Sequence, residues 1–367
     1  MGKKRFFDDR LKYLSFIQNT EEKKAISEKF FSQVAGLSEN RSYIRILDAG
    51  TGDGTIFSNI IKSFHKYHPY TSLLITGKEI SYEDLKNTLE KVPDRFVEHP
   101  NLLITMTNVK FSELGLIECS NTIQDKKVKE FNLILKSNNS FDFNSQITSN
   151  LLSNFIKKNW GIEIDNKNKT SYSNPCIIRV YREDNKKHLE KFLENDYKNN
   201  NYDLIVASQA YRAAASVEAK VKNVIAPLMR LLNKSGKLLV THTCGGDFIQ
   251  KVLKLAFKEK EAFPNTAKDI IEYVKSNPVG ENNIYSFSKP LSYYFKFKRV
   301  PDQTVTELFG HNIDSKWANI LYVGQIPEKD ILSLENNQSL MNKVKKAIDG
   351  SDQIQFKNEF FSITKIR

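Results

Sequence analysis

The stretch Ile44-Arg-Ile-Leu-Asp-Ala-Gly-Thr-Gly-Asp-Gly54 is typical of a short apolar strand that ends in Asp48 and enters a G-x-G-x-G turn. Gly50, Gly52 and Gly54 lack a Cβ atom, so the backbone can turn tightly and let a ligand approach the main chain. The residues from 55 to 66 carry an apolar stripe with helical spacing. This order of strand, glycine turn and helix predicts a cofactor-binding turn, with an ordinary turn of any α/β domain as the alternative.

The acidic residues around this turn indicate which cofactor it suits. A dinucleotide fingerprint, G-x-G-x-x-G, would need glycine at position 55, where this chain has Thr55. Glu79 follows the next apolar run, where its two carboxylate oxygens can accept hydrogen bonds from both hydroxyls of a ribose. Asp48 and Glu79 together favour a cofactor that carries positive charge rather than a pyrophosphate.

The later part of the chain alternates between strand and helix patterns. Apolar runs at residues 101–108, 202–211 and 235–243 predict three further strands, and a long helix is expected from about residue 213 to 233. Such alternation argues for a Rossmann-like α/β fold, with a mostly parallel sheet covered by helices on both faces. The chain opens with two helical segments that break at Asn19-Thr20. It closes with strand-like stretches at residues 284–287, 291–300 and 353–366, which predict C-terminal antiparallel strands.

Composition excludes several classes of protein. The chain has 367 residues and 40% hydrophobic content, which is enough for one large domain with an appendage. It has no uninterrupted apolar stretch of about 18 residues, so no membrane span is expected. The N-terminus lacks an apolar signal core, which predicts a cytoplasmic protein. The three cysteines are far apart, as expected for reduced thiols without metal-ligand spacing, so no metal site is predicted.

The net charge of +12 raises the hypothesis of nucleic-acid binding. The 55 basic residues are 44 lysines and 11 arginines, and they are scattered along the chain. Arginine is the residue that forks onto phosphate and guanine, so this composition disfavours a phosphate-reading surface. A small-molecule partner is therefore expected rather than a nucleic acid or a membrane.

Apart from one insertion, the layout resembles the histamine N-methyltransferase branch of the class I S-adenosylmethionine-dependent methyltransferases. The motifs that carry the resemblance are the helix break from Asn19 to Glu21, the glycine turn, the segment Glu79-Ile-Ser81, the strand that ends in Ser208-Gln209, the helix start at Gly245-Gly246 and the terminal Phe356-Lys-Asn-Glu-Phe-Phe-Ser-Ile363. The resemblance implies S-adenosyl-L-methionine as the cofactor and a small amine as the substrate.

The resemblance also implies roles for individual residues. Glu21 and Gln209 would hold the amine, and Asn319 is the nearest candidate for a third polar contact with the substrate. Asn108 or Ser112 would contact the adenine amine. The expected cofactor-binding residues are Asp48, Gly50, Gly52, Gly54, Glu79, Asn108, Ser112 and Ser208.

Four further residues are candidates on chemical grounds. His242 ends a predicted strand and can serve as a base, although a structural histidine is the more common finding there. Tyr211, Tyr293 and Tyr294 can form an aromatic wall for a flat or cationic substrate. Aromatic residues in strands are more often core or sheet-face residues.

Residues 120–201 form an insertion that the family pattern lacks. Its first part is rich in Asn, and its second part predicts a helix at 151–160, a strand at 175–181 and a helix at 186–195. The segment has enough apolar residues to fold as a small α/β module, serving as a lid, a partner surface or a specificity element. The expected organisation is 1–119 and 202–367 as two parts of the methyltransferase domain, with 120–201 inserted.

Two classes of function follow. The first is an enzyme that methylates a nitrogen of a small amine or imidazole-like metabolite, with a peptide or RNA acceptor as the runner-up suggested by the insertion and the positive charge. The second is a degenerate methyltransferase-like protein that works through a partner. The intact Asp48, glycine turn and Glu79 favour the enzyme.

Overall fold

A computed structural model describes residues 10–37, 41–117, 119–164, 170–196, 201–258, 260–279, 284–297, 315–349 and 354–366. Within these ranges the helices are α1 (Arg10–Asn19), α2 (Glu22–Ala35), α3 (Thr55–Tyr67), α4 (Tyr82–Glu90), α5 (Pro93–Glu98), α6 (Ser140–Ile147), α7 (Asn150–Asn159), α8 (Lys186–Asp196), α9 (Val217–Lys220), α10 (Ala226–Arg230), α11 (Asp247–Ala256), α12 (Ala267–Ser276), α13 (Ser315–Val323), α14 (Glu328–Glu335) and α15 (Gln338–Asp349). A π-helical turn, Val221–Ile225, joins α9 to α10, and 3₁₀ turns cover Phe111–Leu116 and Glu183–Asn185.

The strands in the same ranges are β1 (Tyr43–Asp48), β2 (Ser72–Lys78), β3 (Leu102–Thr107), β4 (Thr122–Ile123), β5 (Lys126–Lys127), β6 (Lys129–Leu135), β7 (Ile162–Ile164), β8 (Thr170–Tyr172), β9 (Cys176–Arg182), β10 (Tyr202–Ser208), β11 (Leu232–Gly245), β12 (Tyr285–Phe287), β13 (Leu291–Lys296) and β14 (Gln355–Lys365). Ten of them form one sheet in the order β12-β14-β11-β10-β1-β2-β3-β9-β6, and β13 also pairs with β14. The strands β3, β2, β1, β10 and β11 are parallel. Strand β14 runs antiparallel to β11, which confirms the predicted α/β fold with C-terminal antiparallel strands.

The central strands are apolar enough to be buried on both faces of the sheet. In β1, every residue from Ile44 to Asp48 is buried, as expected for a parallel sheet with helices on both sides. One core packs α2 and α3 against the sheet through residues such as Phe30 and Phe57. A second core lies on the other face and includes Leu228 and Ile270. The crossover connections therefore lead the glycine turn and the other strand ends to one edge of the sheet.

A third core joins the N-terminal and C-terminal helices. Phe16 of α1, Ile249 of α11, Trp317 of α13 and Val344 of α15 pack together there. The helices α13 to α15 were not predicted from the sequence. They bring the end of α13 next to α1, where both contribute to the site described below.

The insertion extends the central sheet. Strand β9 pairs antiparallel with β3, and β6 pairs parallel with β9 through the crossover that contains α6 and α7. Every residue of β9 is buried. The two helices and the strand predicted in the second half of the insertion appear as α7, α8 and β9. The boundaries at 120 and 201 stay a prediction.

Among the described residues, no helix combines the length and the apolar character that a membrane crossing requires.

Candidate active site

A cavity of about 340 Å³ opens where β1, β2 and β10 end. Ligands of open α/β sheets bind at this edge, and the volume lies near the lower end of the range for small-molecule sites. The cavity is lined by Tyr13, Phe16, Glu22, Lys23, Ala49, Gly50, Gly52, Lys78, Glu79, Asp84, Phe111, Ser208, Gln209, Ala210, Ala213, Thr243, Tyr322, Val323 and Gln325. The lining thus combines the glycine turn with residues of α1, α2 and the end of α13.

Two glycines in the left-handed backbone conformation shape the glycine turn. Gly52 has φ +56° and Gly54 has φ +79°, which L side chains rarely adopt. A Cβ atom on Gly52 would lie only 2.5 Å from the Tyr13 hydroxyl oxygen, and one on Gly54 would lie 2.6 Å from the Thr88 Cα. The Asp53 N–H donates to that hydroxyl at 3.4 Å. Tyr13 of α1 therefore covers the turn at close range, which requires glycine at position 52.

Glu79 connects the end of β2 to the glycine turn. Its Oε2 accepts a hydrogen bond from the Gly52 N–H at 2.8 Å, while Oε1 accepts from the Ile80 and Ser81 N–H groups, each at 2.8 Å. Each oxygen of a carboxylate has two acceptor sites, so Oε2 keeps one site for a further donor. Glu79 lines the cavity, as a residue that binds a ribose diol must.

Asp48 is a buried carboxylate without a hydrogen-bond partner of good geometry. It ends β1 just before the cavity-lining Ala49, is fully shielded from solvent, and neither oxygen is paired among the described residues. Burial raises the pKa of Asp48 from its ordinary 3.8 to about 7, against the opposing effects of the Lys23 ammonium and the Gly50 N–H. The Ser208 hydroxyl, at the end of neighbouring β10, is also buried and unpaired. Native proteins rarely leave such groups unpaired, so this pair suits a ligand with a cationic hydrogen-bond donor.

Gln209 and Glu22 meet on the other side of the cavity. The Gln209 amide nitrogen donates to Glu22 Oε1 at 3.3 Å and to Thr243 Oγ1 at 3.0 Å, and the Gln209 Oε1 accepts from the Thr243 N–H at 3.1 Å. Gln209 has φ +53°, a strained conformation for a residue with a side chain. Such strain often clusters at binding sites. Burial raises the pKa of Glu22, although Lys23 and the Gln209 hydrogen bond oppose the increase.

Several predicted residues lie outside the cavity lining, among them Asp48 and Gly54 at the two ends of the glycine turn and the three residues described next. Glu21 is the N-cap residue of α2, and its N–H donates to the Lys296 carbonyl at 3.0 Å. Ser112 is exposed on the 3₁₀ turn, while its neighbour Phe111 lines the cavity. Asn108 is buried, and its amide holds the inserted strand by donating to the Asn174 carbonyl and accepting from the Cys176 N–H, both at 2.9 Å.

His242 and Tyr211 form a separate buried network. His242 Nε2 lies 3.2 Å from Glu359 Oε2, and its Nδ1 lies 3.3 Å from the Tyr211 hydroxyl. The same Glu359 oxygen accepts from the Ala267 N–H at 2.6 Å. Burial lowers the pKa of His242, although Glu359 opposes this. Neither His242 nor Tyr211 lines the cavity. His242 points to the opposite face of the sheet from its neighbour Thr243, which does line it.

The remaining candidates also lie outside the cavity lining. Tyr293 is buried with its hydroxyl 2.5 Å from Thr241 Oγ1, and Tyr294 is 56% exposed. Asn319 is buried in α13, one turn before the lining residues Tyr322 and Val323.

The lining residues that were not predicted from the sequence include Tyr13, Glu22, Lys23, Phe111 and Tyr322. Tyr322 stacks on Phe16 with ring centroids 4.9 Å apart, and Lys78 Nζ lies 5.0 Å from the centre of the Phe111 ring. The sequence indicated Lys23 and Phe111 only indirectly, because each lies close along the chain to a predicted residue, Glu21 and Ser112 respectively. Tyr13 and Tyr322 are brought together by helix packing, which has no local signal.

The chain has only distant similarity to solved protein structures. No protein-family model and no curated protein sequence matches this chain. The plantazolicin methyltransferase BpumL in complex with SAH has 10% identity over 98% of this chain and 90% of that one, with a TM-score of 0.36. A SAM dependent methyltransferase from Archaeoglobus fulgidus has 11% identity over 94% of each chain and a TM-score of 0.28.

Phosphoethanolamine N-methyltransferase 2 from Haemonchus contortus, in complex with S-adenosyl-L-methionine, has 12% identity and a TM-score of 0.35. The match covers 95% of this chain but 53% of that protein, so this chain spans about half its length. Since the TM-scores are below 0.5, the fold is defined by this chain's own strand order and not by these similarities.

Proposed function

We propose that the protein is an S-adenosyl-L-methionine-dependent methyltransferase that acts on a nitrogen of a small amine or imidazole-like metabolite. The observation that carries the proposal is the unpaired, fully buried carboxylate of Asp48, which lies behind the cavity that Glu79 lines. Glu79 can accept hydrogen bonds from a ribose diol, and the unpaired Asp48 carboxylate lies at the end of the neighbouring strand. Together they fit a nucleoside that carries an ammonium group. They do not fit a pyrophosphate, because two carboxylates would repel it.

Each part of the cofactor has a candidate partner that lines the cavity or, in the case of Asp48, lies directly behind the lining residue Ala49. Glu79 would accept hydrogen bonds from the ribose, and Asp48 with Ser208 would face the ammonium. Phe111, which lies in the 3₁₀ turn after β3, would pack against the adenine ring in the place that the sequence assigned to Ser112. With Asn108 engaged by the inserted strand, its side chain is not proposed as an adenine contact.

When bound, the cofactor supplies a methyl group on a sulfonium, which an unprotonated nitrogen can accept. The chain needs no covalent intermediate, so its task is to align the acceptor with the S–CH₃ bond. Alignment of this kind can contribute up to about 7–11 kcal/mol in favourable cases. The strained Gln209 is held by Thr243 on both sides of its amide, and its N–H groups are engaged by Glu22 and Thr243. Its Oε1 keeps one acceptor site, so Gln209 is a rigid hydrogen-bond acceptor for that purpose.

Glu22, rather than Glu21, is the acidic residue we assign to the acceptor. It lines the cavity and accepts from Gln209, whereas Glu21 does not line the cavity. A carboxylate beside the acceptor can pair with a cationic side arm. Because burial raises the pKa of Glu22, it can also take the proton that the nitrogen loses on methylation.

The cofactor is tested first, by isothermal titration of the purified chain with S-adenosylmethionine, S-adenosylhomocysteine and NAD. Binding of the first two at micromolar concentration, without binding of NAD, would support the proposal. Failure of both to bind would contradict it and favour a degenerate methyltransferase-like partner protein. A cytoplasmic location stays a prediction.

The acceptor side is tested with a matched pair of variants, Glu22→Gln and Glu21→Gln, and with Gln209→Ala. After a screen of amines and imidazoles has identified an acceptor, Glu22→Gln and Gln209→Ala should lower kcat/KM at least tenfold, because each removes a polar contact to the acceptor. Both should leave the cofactor Kd unchanged. Glu21→Gln should behave like the wild type; if it alone lowers kcat/KM, Glu21 is the substrate residue.

A further inference from the structure

Lys23 is a cation in the cavity that the proposed function has not used. It lies in the first turn of α2, is half-buried and lines the cavity beside Glu22. Its Nζ lies 5.7 Å from the centre of the Tyr13 ring. Since Tyr13 covers the glycine turn through its contact with the Asp53 N–H, this places the ammonium near that turn.

Several anionic groups surround the Lys23 ammonium, but none forms an ion pair with it. Among the described residues, no carboxylate oxygen lies within 4.0 Å of Lys23 Nζ and no hydrogen bond from it is found. Burial alone would lower the pKa of Lys23, but the Tyr13 oxygen and the carboxylates of Glu22, Asp53 and Asp48 raise it instead. The side chain therefore stays charged at neutral pH, and its donors are available to a ligand.

The Lys23 ammonium lines the cavity and the Asp48 carboxylate lies buried behind it, and these two opposite charges have no close ion-pair partner among the described residues. The other lining lysine, Lys78, has its ammonium 5.0 Å from the centre of the Phe111 ring, on the side proposed for the adenine. A partly desolvated charge is stabilised when a charge of the opposite sign pairs with it. The only zwitterion that the proposed function brings to this cavity is the amino-acid end of the cofactor. With its ammonium facing Asp48 and Ser208, its carboxylate is the group left to meet a cation that lines the cavity.

We infer that Lys23 binds the carboxylate of the cofactor's amino-acid end, which makes the N-terminal turn of α2 part of the cofactor site. This inference rests on the proposed function, since it assumes that S-adenosylmethionine is the cofactor. It also means that α2 carries two adjacent residues with different ligands, Glu22 for the acceptor and Lys23 for the cofactor.

The test compares two ligands and three variants by calorimetry. S-adenosylmethionine carries the carboxylate, and decarboxylated S-adenosylmethionine keeps the sulfonium and an ammonium but lacks it. Lys23→Met should weaken binding of S-adenosylmethionine by about 10- to 100-fold, the usual effect of a charge-assisted hydrogen bond, and should leave the decarboxylated ligand unchanged. Lys23→Arg should restore part of the loss. Lys24→Met, an exposed position in the same turn, should match the wild type for both ligands.

Three outcomes are distinguishable. An equal loss for both ligands in Lys23→Met, or no loss for either, would overturn the assignment of Lys23 while leaving the proposed function intact. Failure of the wild type to bind S-adenosylmethionine would instead refute the proposed function, and this inference with it. Thermal melting of Lys23→Met and Lys24→Met, expected to be alike, checks that any loss does not come from misfolding.

Discussion

Replacing Asp48 with Asn should make the stability of the protein less dependent on pH. The folded chain holds the pKa of Asp48 at about 7, compared with an ordinary value of 3.8. A raised pKa means that folding disfavours the charged form, so the penalty is absent at low pH and grows as pH rises through the interval between the two values. At about 1.36 kcal/mol for each pH unit of that interval, the full penalty is about 4 kcal/mol. Between about pH 4.5 and pH 8, the free energy of unfolding should fall by about 3 kcal/mol because of Asp48 alone.

The measurement is urea unfolding of the wild type and Asp48→Asn at these two pH values, without cofactor. The difference in unfolding free energy between the two proteins should change by about 3 kcal/mol in favour of the variant as pH rises. Comparing two proteins cancels the titration of distant groups. Ser208→Ala is the control, because it removes a neighbouring buried hydroxyl without a charge, and its effect should be equal at both pH values. A difference for Asp48→Asn that does not change with pH would refute the reasoning.

Three further predictions follow from the site. Affinity for S-adenosylhomocysteine should fall by up to tenfold per pH unit below about 7, because protonated Asp48 cannot pair with an ammonium; a titration series that shows constant affinity would contradict this. Gly52→Ala should reduce cofactor affinity at least tenfold, because a residue with a Cβ atom pays about 1–2 kcal/mol to adopt φ +56° and because Tyr13 must move. Gly36 has φ −85° and no close contact, so Gly36→Ala should leave the affinity unchanged in the same titration. His242→Ala should lower the unfolding free energy by about 1–3 kcal/mol because Glu359 loses a partner, yet leave the cofactor Kd unchanged; a weaker Kd would place His242 in the site.

The sheet and the proposed cofactor side of the site were largely predictable from the sequence. Each predicted parallel strand is present, because a strand buried on both faces appears as a continuous apolar run. Asp48, the glycines and Glu79 follow such runs directly, so their place at the carboxyl edge follows from the direction of parallel strands. The residues of the insertion that pair with β3 were not predicted to join the sheet, because pairing partners that are distant along the chain have no local signal.

The proposed acceptor side of the site was decided by tertiary structure. On a helix, successive residues point about 100° apart, so the phase of α2 determines that Glu22 and Lys23 line the cavity while Glu21 does not. On β11, His242 and Thr243 must point to opposite faces, but only packing decides which face holds the cavity.

The sequence by itself determined the α/β class, the glycine turn and the two acidic positions, because these follow from local backbone preferences and hydrophobic periodicity. Tertiary structure alone decided which side chains meet across the cavity. The engagement of Asn108 by the inserted strand and the meeting of Tyr13 of α1 with Tyr322 of α13 both join segments far apart along the chain. Such contacts depend on how whole helices and strands pack, and no short stretch of sequence encodes that packing.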